Sequence, residues 1–233
     1  MARLERLPPV PAVPPRSPPV AVRGEDTVRI PGLDGGPALD GRLHVPAHPV
    51  RAVVLCHPHP LYGGSMHSPV PLAITRTLAD LASEKVAWLR FDFRGVGASE
   101  GKYDDGRGEV DDARAALAVL RREAPGVPVS LGGHSFGSWV GLRAASVDVE
   151  VERLLLVAPS VRFFEFHPGE VRFPGPVTVF VGDQDELLDV PEAEALAQKL
   201  GASLRVFEGF DHHFMKSRRA MAEAALPVLA PEA

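Results

Sequence analysis

The chain carries a single cysteine, Cys56, in 233 residues. One cysteine closes no internal disulfide and excludes a four-cysteine zinc site, and it fits a reducing compartment such as the cytoplasm. The longest apolar runs fall far short of the ~20 residues a membrane span requires. No uninterrupted apolar core of a signal peptide stands near the start. No lysine-rich tract is present and the net charge is -5, so neither nucleic acid nor a membrane is an expected partner. No HExxH pattern and no internal repeat is found.

Proline is abundant where the rest of the chain is ordinary. Seven of the first 23 residues are proline, which marks residues 1–23 as an N-terminal extension. It reads as a dispensable tail, extended and weakly structured or laid along the surface in polyproline form. Residues 24–233 have the composition of one globular domain, 45% hydrophobic and 24% charged, and a length that suits a single core.

Strand-like and helix-like patterns alternate from residue 26 onward. Segments 27–30 and 39–45 are short, partly polar and separated by glycines, as in an antiparallel hairpin at a sheet edge. Segment 52–55 is continuously apolar, as a strand buried on both faces should be. Further strands are expected at 86–93, 127–131, 153–157, 177–181 and 203–207. Helices are expected at 69–83, with Ile74, Leu78 and Leu81 on one face, then 109–122, the stretch from 138, 191–200 and 216–226. Eight strands with helices between the later ones predict an α/β fold with a mostly parallel, doubly wound sheet.

The most informative pentapeptide is Gly133-His134-Ser135-Phe136-Gly137. It joins an expected strand to an expected helix, the context of a G-x-S-x-G nucleophile elbow. The turn is tight enough that bulk is excluded two residues either side of the serine. A serine hydroxyl needs a base, and the base an orienting acid. In this architecture both belong on loops beyond strand carboxyl ends. Segment 177–181 leads into Gly182-Asp183-Gln184-Asp185, and 203–207 into Gly209-Phe210-Asp211-His212-His213. The order Ser…Asp…His is that of this motif class. Asp185, deeper in its loop, is favoured over Asp183, which suits a turn. His212 is favoured over His213.

The loop His57-Pro58-His59-Pro60-Leu61, followed by Tyr62-Gly63-Gly64, should supply one backbone donor to an oxyanion, since prolines carry no N–H. His59 is the first choice and Leu61 the second; Phe136 supplies the other donor. The H-x-H pattern also admits a metal, but no acidic companion has ligand-like spacing, so no metal and no cofactor are expected. Arg94-Gly95-Val96-Gly97 lacks the third glycine of a dinucleotide loop and reads as a structural turn, and the acidic residues 109–112 suit a helix first turn.

Taken together, His57 to Gly64, Phe91-Asp92-Phe93-Arg94-Gly95-Val96-Gly97-Ala98-Ser99-Glu100-Gly101 and the serine pentapeptide resemble the small bacterial α/β-hydrolases related to dienelactone hydrolase. The resemblance spans about residues 26–228. It implies an α/β-hydrolase fold, a serine carboxylesterase acting on a small-molecule ester, and a triad of Ser135, Asp185 and His212. This chain departs from dienelactone hydrolases proper, which carry cysteine as the nucleophile, and has two adjacent histidines where one is usual. Segment 159–174 is too short for a cap domain. Its aromatic residues Phe163, Phe164, Phe166 and His167 either wall a pocket or simply pack. An open site of this kind suits short acyl chains.

Overall fold

The computed structural model describes residues 5–12, 20–148, 150–164, 173–231 and 233. Strands β1 (Asp26–Ile30), β2 (Leu39–His44), β3 (Arg51–Cys56), β4 (Val86–Phe91), β5 (Val129–His134), β6 (Val151–Val157), β7 (Val177–Gly182) and β8 (Ser203–Phe207) form one sheet in the order β1-β2-β4-β3-β5-β6-β7-β8. The β1–β2 hairpin and the β2–β4 pair are antiparallel, and all other pairs are parallel.

Both faces of the sheet are covered, as parallel strands require. Along β3, Val54 and Cys56 face a core shared with α2 (Arg107–Glu123), α3 (Phe136–Val147) and α4 (Val190–Leu200). Val53 and Leu55 face the opposite core, against α1 (Pro69–Leu81) and α5 (Arg218–Leu229). That two-residue alternation with apolar side chains on each face explains the unbroken run at 52–55. Helix α4 begins with a capping box, Asp189 accepting from Glu192 N–H and Glu192 accepting from Asp189 N–H, and ends at left-handed Gly201. Both ends thereby satisfy backbone groups that the helix cannot pair itself.

Several boundaries differ from the sequence pattern for identifiable reasons. Helix α3 starts at Phe136 rather than 138, because Ser135 itself is the N-cap. Leu81 is 55% exposed; at the last residue of α1 it has no further turn to pack under. Helix α5 runs through Pro227 to Leu229. The proline removes one backbone donor, while fully buried Leu229 keeps the last turn against the core. Strand β4 ends at Phe91, two residues early, because Asp92 and Phe93 turn inward to meet the loops at the sheet's carboxyl edge.

Candidate active site

Chain reversal between β4 and β5 puts the topological crevice at the carboxyl ends of β3 and β5, where α/β sheets hold ligands. Ser135 stands there with φ 55° and ψ -117°, a sparsely populated conformation for a side chain with a Cβ. Its neighbours hold it in place. Ser135 N–H donates to Val157 O (2.8 Å), and the Ser138 hydroxyl donates to Gly133 O (2.8 Å) and Val157 O (3.1 Å). The flanking glycines are steric requirements. A Cβ on Gly133 would lie 2.2 Å from Gly137 O, and one on Gly137 would lie 2.5 Å from Cys56 O. The elbow is therefore packed directly against the end of β3, which brings the loop after β3 beside the serine.

That loop is ordered by its own histidines. His57 Nε2 accepts from Phe93 N–H (3.0 Å), so its proton sits on Nδ1 and faces Pro58 O (2.6 Å). This ties the loop after β3 to the one after β4. His59 Nδ1 accepts from Leu61 N–H (3.2 Å), leaving Nε2 to face the Tyr103 hydroxyl at 3.2 Å. Burial lowers the His59 pKa to about 4, because the interior disfavours a charged ring. The Leu61 N–H is thus engaged, whereas the N–H groups of His59 and Phe136 meet no acceptor among the described residues.

Beyond β7 the two aspartates part company. The Asp185 side chain is fully buried; its Oδ1 accepts from Leu187 N–H (2.8 Å) and Leu188 N–H (3.1 Å), and both oxygens lie 3.0 Å from His212 Nδ1. Asp183 instead accepts from Gly209 N–H and pins the loop after β7 to the loop after β8. His212 is buried, and its carbonyl accepts from His134 Nε2 (3.1 Å). His213 is exposed and lies edge-on to His212. Burial holds His134 far below the ordinary histidine pKa, with the neighbouring His212 adding to the effect, and its buried Nδ1 has no partner among the described residues.

Sequence reasoning missed Ser160. Its hydroxyl is 2.7 Å from Ser135 Oγ, and this is the bond the serine makes, rather than one to the His212 ring. Ser160 follows β6, and left-handed Ala158 (φ 45°) bends the chain there. Its position just past the strand beside β5 is the signal that could have drawn notice.

Ser135, Ser160 and His212 open on one cavity of about 360 Å³, near the lower limit for small-molecule sites. Tyr62, Phe136, Phe163 and Phe164 give it aromatic walls, and Arg218 is the one charged residue in its lining among the described residues. Phe166 and His167 lie outside the described residues. The turn after β4 stands apart from this chemistry. Arg94 makes a bidentate pair with Asp112 (2.8 and 3.1 Å), and Glu109 accepts the N–H groups of Asp104 and Gly106. These are structural partners, as a glycine turn and a helix first turn require. Among the described residues, no three His, Cys, Asp or Glu side chains converge as metal ligands, and no helix is long and apolar enough to cross a membrane.

A strained serine on a strand-to-helix turn, beside a buried Asp–His pair in an open crevice, is the arrangement of an α/β serine hydrolase. The family model described as serine aminopeptidase, S33, matches residues 47–168, more than half of the chain, and the chain belongs to this family. A protein of Rickettsia prowazekii, itself uncharacterised, is 32% identical over 187 residues, covering 76% of this chain and 77% of its own. Among solved structures, a lidless α/β serine hydrolase of Xanthomonas campestris is 29% identical with a TM-score of 0.77, covering 90% of this chain and 95% of that one. An α/β serine hydrolase homologue of Coxiella burnetii is also 29% identical with a TM-score of 0.77, covering 91% and 100%. The motif resemblance to dienelactone hydrolase thereby resolves to the broader class of α/β serine hydrolases.

Proposed function

We propose that the protein is a carboxylesterase that cleaves small esters through an acyl-enzyme, with Ser135 as nucleophile, His212 as base and Asp185 as its orienting acid. The observation that carries this is the buried Asp185–His212 pair opening onto the same cavity as Ser135. Rotation of Ser135 about χ1 takes its hydroxyl from Ser160 to His212 Nε2; apo sites commonly tighten such contacts only with substrate bound. Oγ then bonds to the ester carbonyl carbon as its proton passes to His212. The His59 and Phe136 N–H groups, which meet no acceptor among the described residues, receive the oxyanion. Collapse breaks the carbon–alkoxide bond, and the alcohol leaves with the proton from His212. Water repeats the sequence in reverse roles and frees the acid and Ser135. The reaction as written needs no cofactor, and the lone buried cysteine suits a cytoplasmic setting.

The family description raises aminopeptidase chemistry as a second reading. An aminopeptidase must meet an α-ammonium group, and a carboxylate is the natural partner. No carboxylate lines the cavity among the described residues, which favours neutral esters over peptides. Initial rates on p-nitrophenyl acetate and butyrate, beside aminoacyl p-nitroanilides, test the choice. Ester turnover that drops by about 10⁶ in Ser135→Ala is expected, from the scale seen when a nucleophile of this type is removed. Anilide turnover exceeding ester turnover would reverse it.

A further inference from the structure

The proline-rich N-terminal extension meets the active-site cavity. Glu5 N–H donates to Arg162 O (2.7 Å) and the Tyr62 hydroxyl donates to Pro8 O. Between those two anchors, Leu7 and Pro8 form part of the cavity lining. The anchors belong to different walls. Tyr62 is in the loop after β3, which carries His59. Arg162 is in the segment after β6, which carries Ser160, and its guanidinium is itself held by Glu192 (2.9 Å), Asp189 (3.2 Å) and Glu186 O (3.2 Å). Residues 5–8 therefore bridge the mouth of the crevice from one fixed loop to the other.

The extension is also tied where it enters the domain. Val20 N–H donates to His67 Nδ1 (3.0 Å) and Val20 O accepts from Arg90 (2.8 Å). Glu25 forms a fully buried pair with Arg90 at 2.6 Å. Proline suits such a bridge because its fixed φ leaves little backbone entropy to lose on ordering. Two apolar residues, Leu7 and Pro8, line the cavity together with Tyr62, Phe136, Phe163, Phe164 and Leu187, so they extend the part of its surface suited to apolar substrate groups.

We propose that residues 5–8 are the specificity wall of this enzyme, a strap across the mouth of the cavity that sets the upper size of ester admitted. The proposal rests on the esterase reading for its substrate class. The strap supplies no group to the reaction; Leu7 is its size-determining side chain and Tyr62 its catch.

The test compares the full chain with a chain lacking residues 1–12, which keeps the Val20 backbone contacts, buried Val22 and the Glu25–Arg90 pair. The readout is the ratio of kcat/KM for p-nitrophenyl octanoate over acetate. Removal of the strap should raise that ratio about tenfold, the worth of a few methylene groups gaining apolar contact. In the full-length protein Leu7→Gly should move it the same way, Tyr62→Phe less so, and Leu7→Trp the opposite way, so the inference survives a truncation that fails to fold. An unchanged ratio in the truncated chain or in Leu7→Gly overturns it. Labelling of Ser135 by fluorophosphonates with short and long alkyl chains separates this from the esterase reading. A long-chain probe gaining on the short one when the strap is removed supports the wall even if no ester is turned over. Equal labelling of both chains by both probes, with ester turnover intact, sinks the wall and leaves the esterase reading standing.

Discussion

Two glycine-rich turns stand at the carboxyl edge of the sheet, one after β4 and one after β5 with β3 between them, and they treat polar groups in opposite ways. After β4, Arg94, Asp112 and Glu109 use their charges on each other and on backbone N–H groups. After β5, Ser135 is in a strained conformation, and among the described residues His134 Nδ1 has no partner and the N–H groups of Phe136 and nearby His59 meet no acceptor. Buried polar groups are normally paired, so a cluster of exceptions points to where a ligand or a reaction completes the set. The first turn spends its polarity on holding the fold, and the second keeps it available.

The sharpest way to press this contrast is through the aspartates beyond β7. Asp185→Asn should cut ester kcat/KM by about 10⁴, because an amide beside Nδ1 supports the wrong imidazole tautomer. Asp183→Asn, one turn away, should cost less than tenfold, and parallel kinetics on both variants decide it. Next in size, Asp112→Ala should lower stability by about 3 kcal/mol in urea denaturation, since it strands a largely buried guanidinium. Its octanoate-to-acetate ratio should stay as in the parent, because the turn after β4 takes no part in the pocket.

Protonation offers a further test. The His59 pKa is lowered from 6.5 to about 4 in the folded chain, so the unfolded chain binds more protons between those values. Stability from this group is full above pH 6.5 and is lost as pH falls toward 4. Between pH 7.5 and pH 5 the loss should be roughly 2 kcal/mol. Buried Glu109 and Asp112, whose pKa values are raised chiefly by burial, act in the opposite sense. The comparison is therefore with His59→Asn, which cannot titrate and should show a shallower fall. A parallel pH dependence in both proteins would count against the buried neutral ring. The smallest effect belongs to Ser160→Ala. Loss of the 2.7 Å partner of Ser135 should lower ester kcat/KM by about tenfold or less, with labelling of Ser135 retained; a drop as large as that of Asp185→Asn would mean Ser160 acts in the chemistry itself.

Much of the sheet was legible because its strands are continuously apolar and its helices keep one apolar stripe. Errors gathered at ends, as with Leu81 and Pro227, where local pattern competes with whatever the last turn happens to pack on. The Arg94–Gly97 turn was legible too, since glycine spacing that fails a phosphate loop still makes a good bend.

The sequence by itself determined the elbow, its two glycines and the order in which serine, carboxylate and imidazole follow the strands, because those features depend on local backbone geometry and chain order. Position in the loop already favoured Asp185 over Asp183, and the contacts agree; tertiary structure alone decided that Ser160 takes the serine hydroxyl and that Leu7 and Pro8 reach the cavity. Neighbouring loop residues share composition and have no periodicity to tell them apart, and a contact across more than a hundred residues leaves no trace in local pattern. Only the packing of five strand ends at one edge distinguishes which of them face the same cavity.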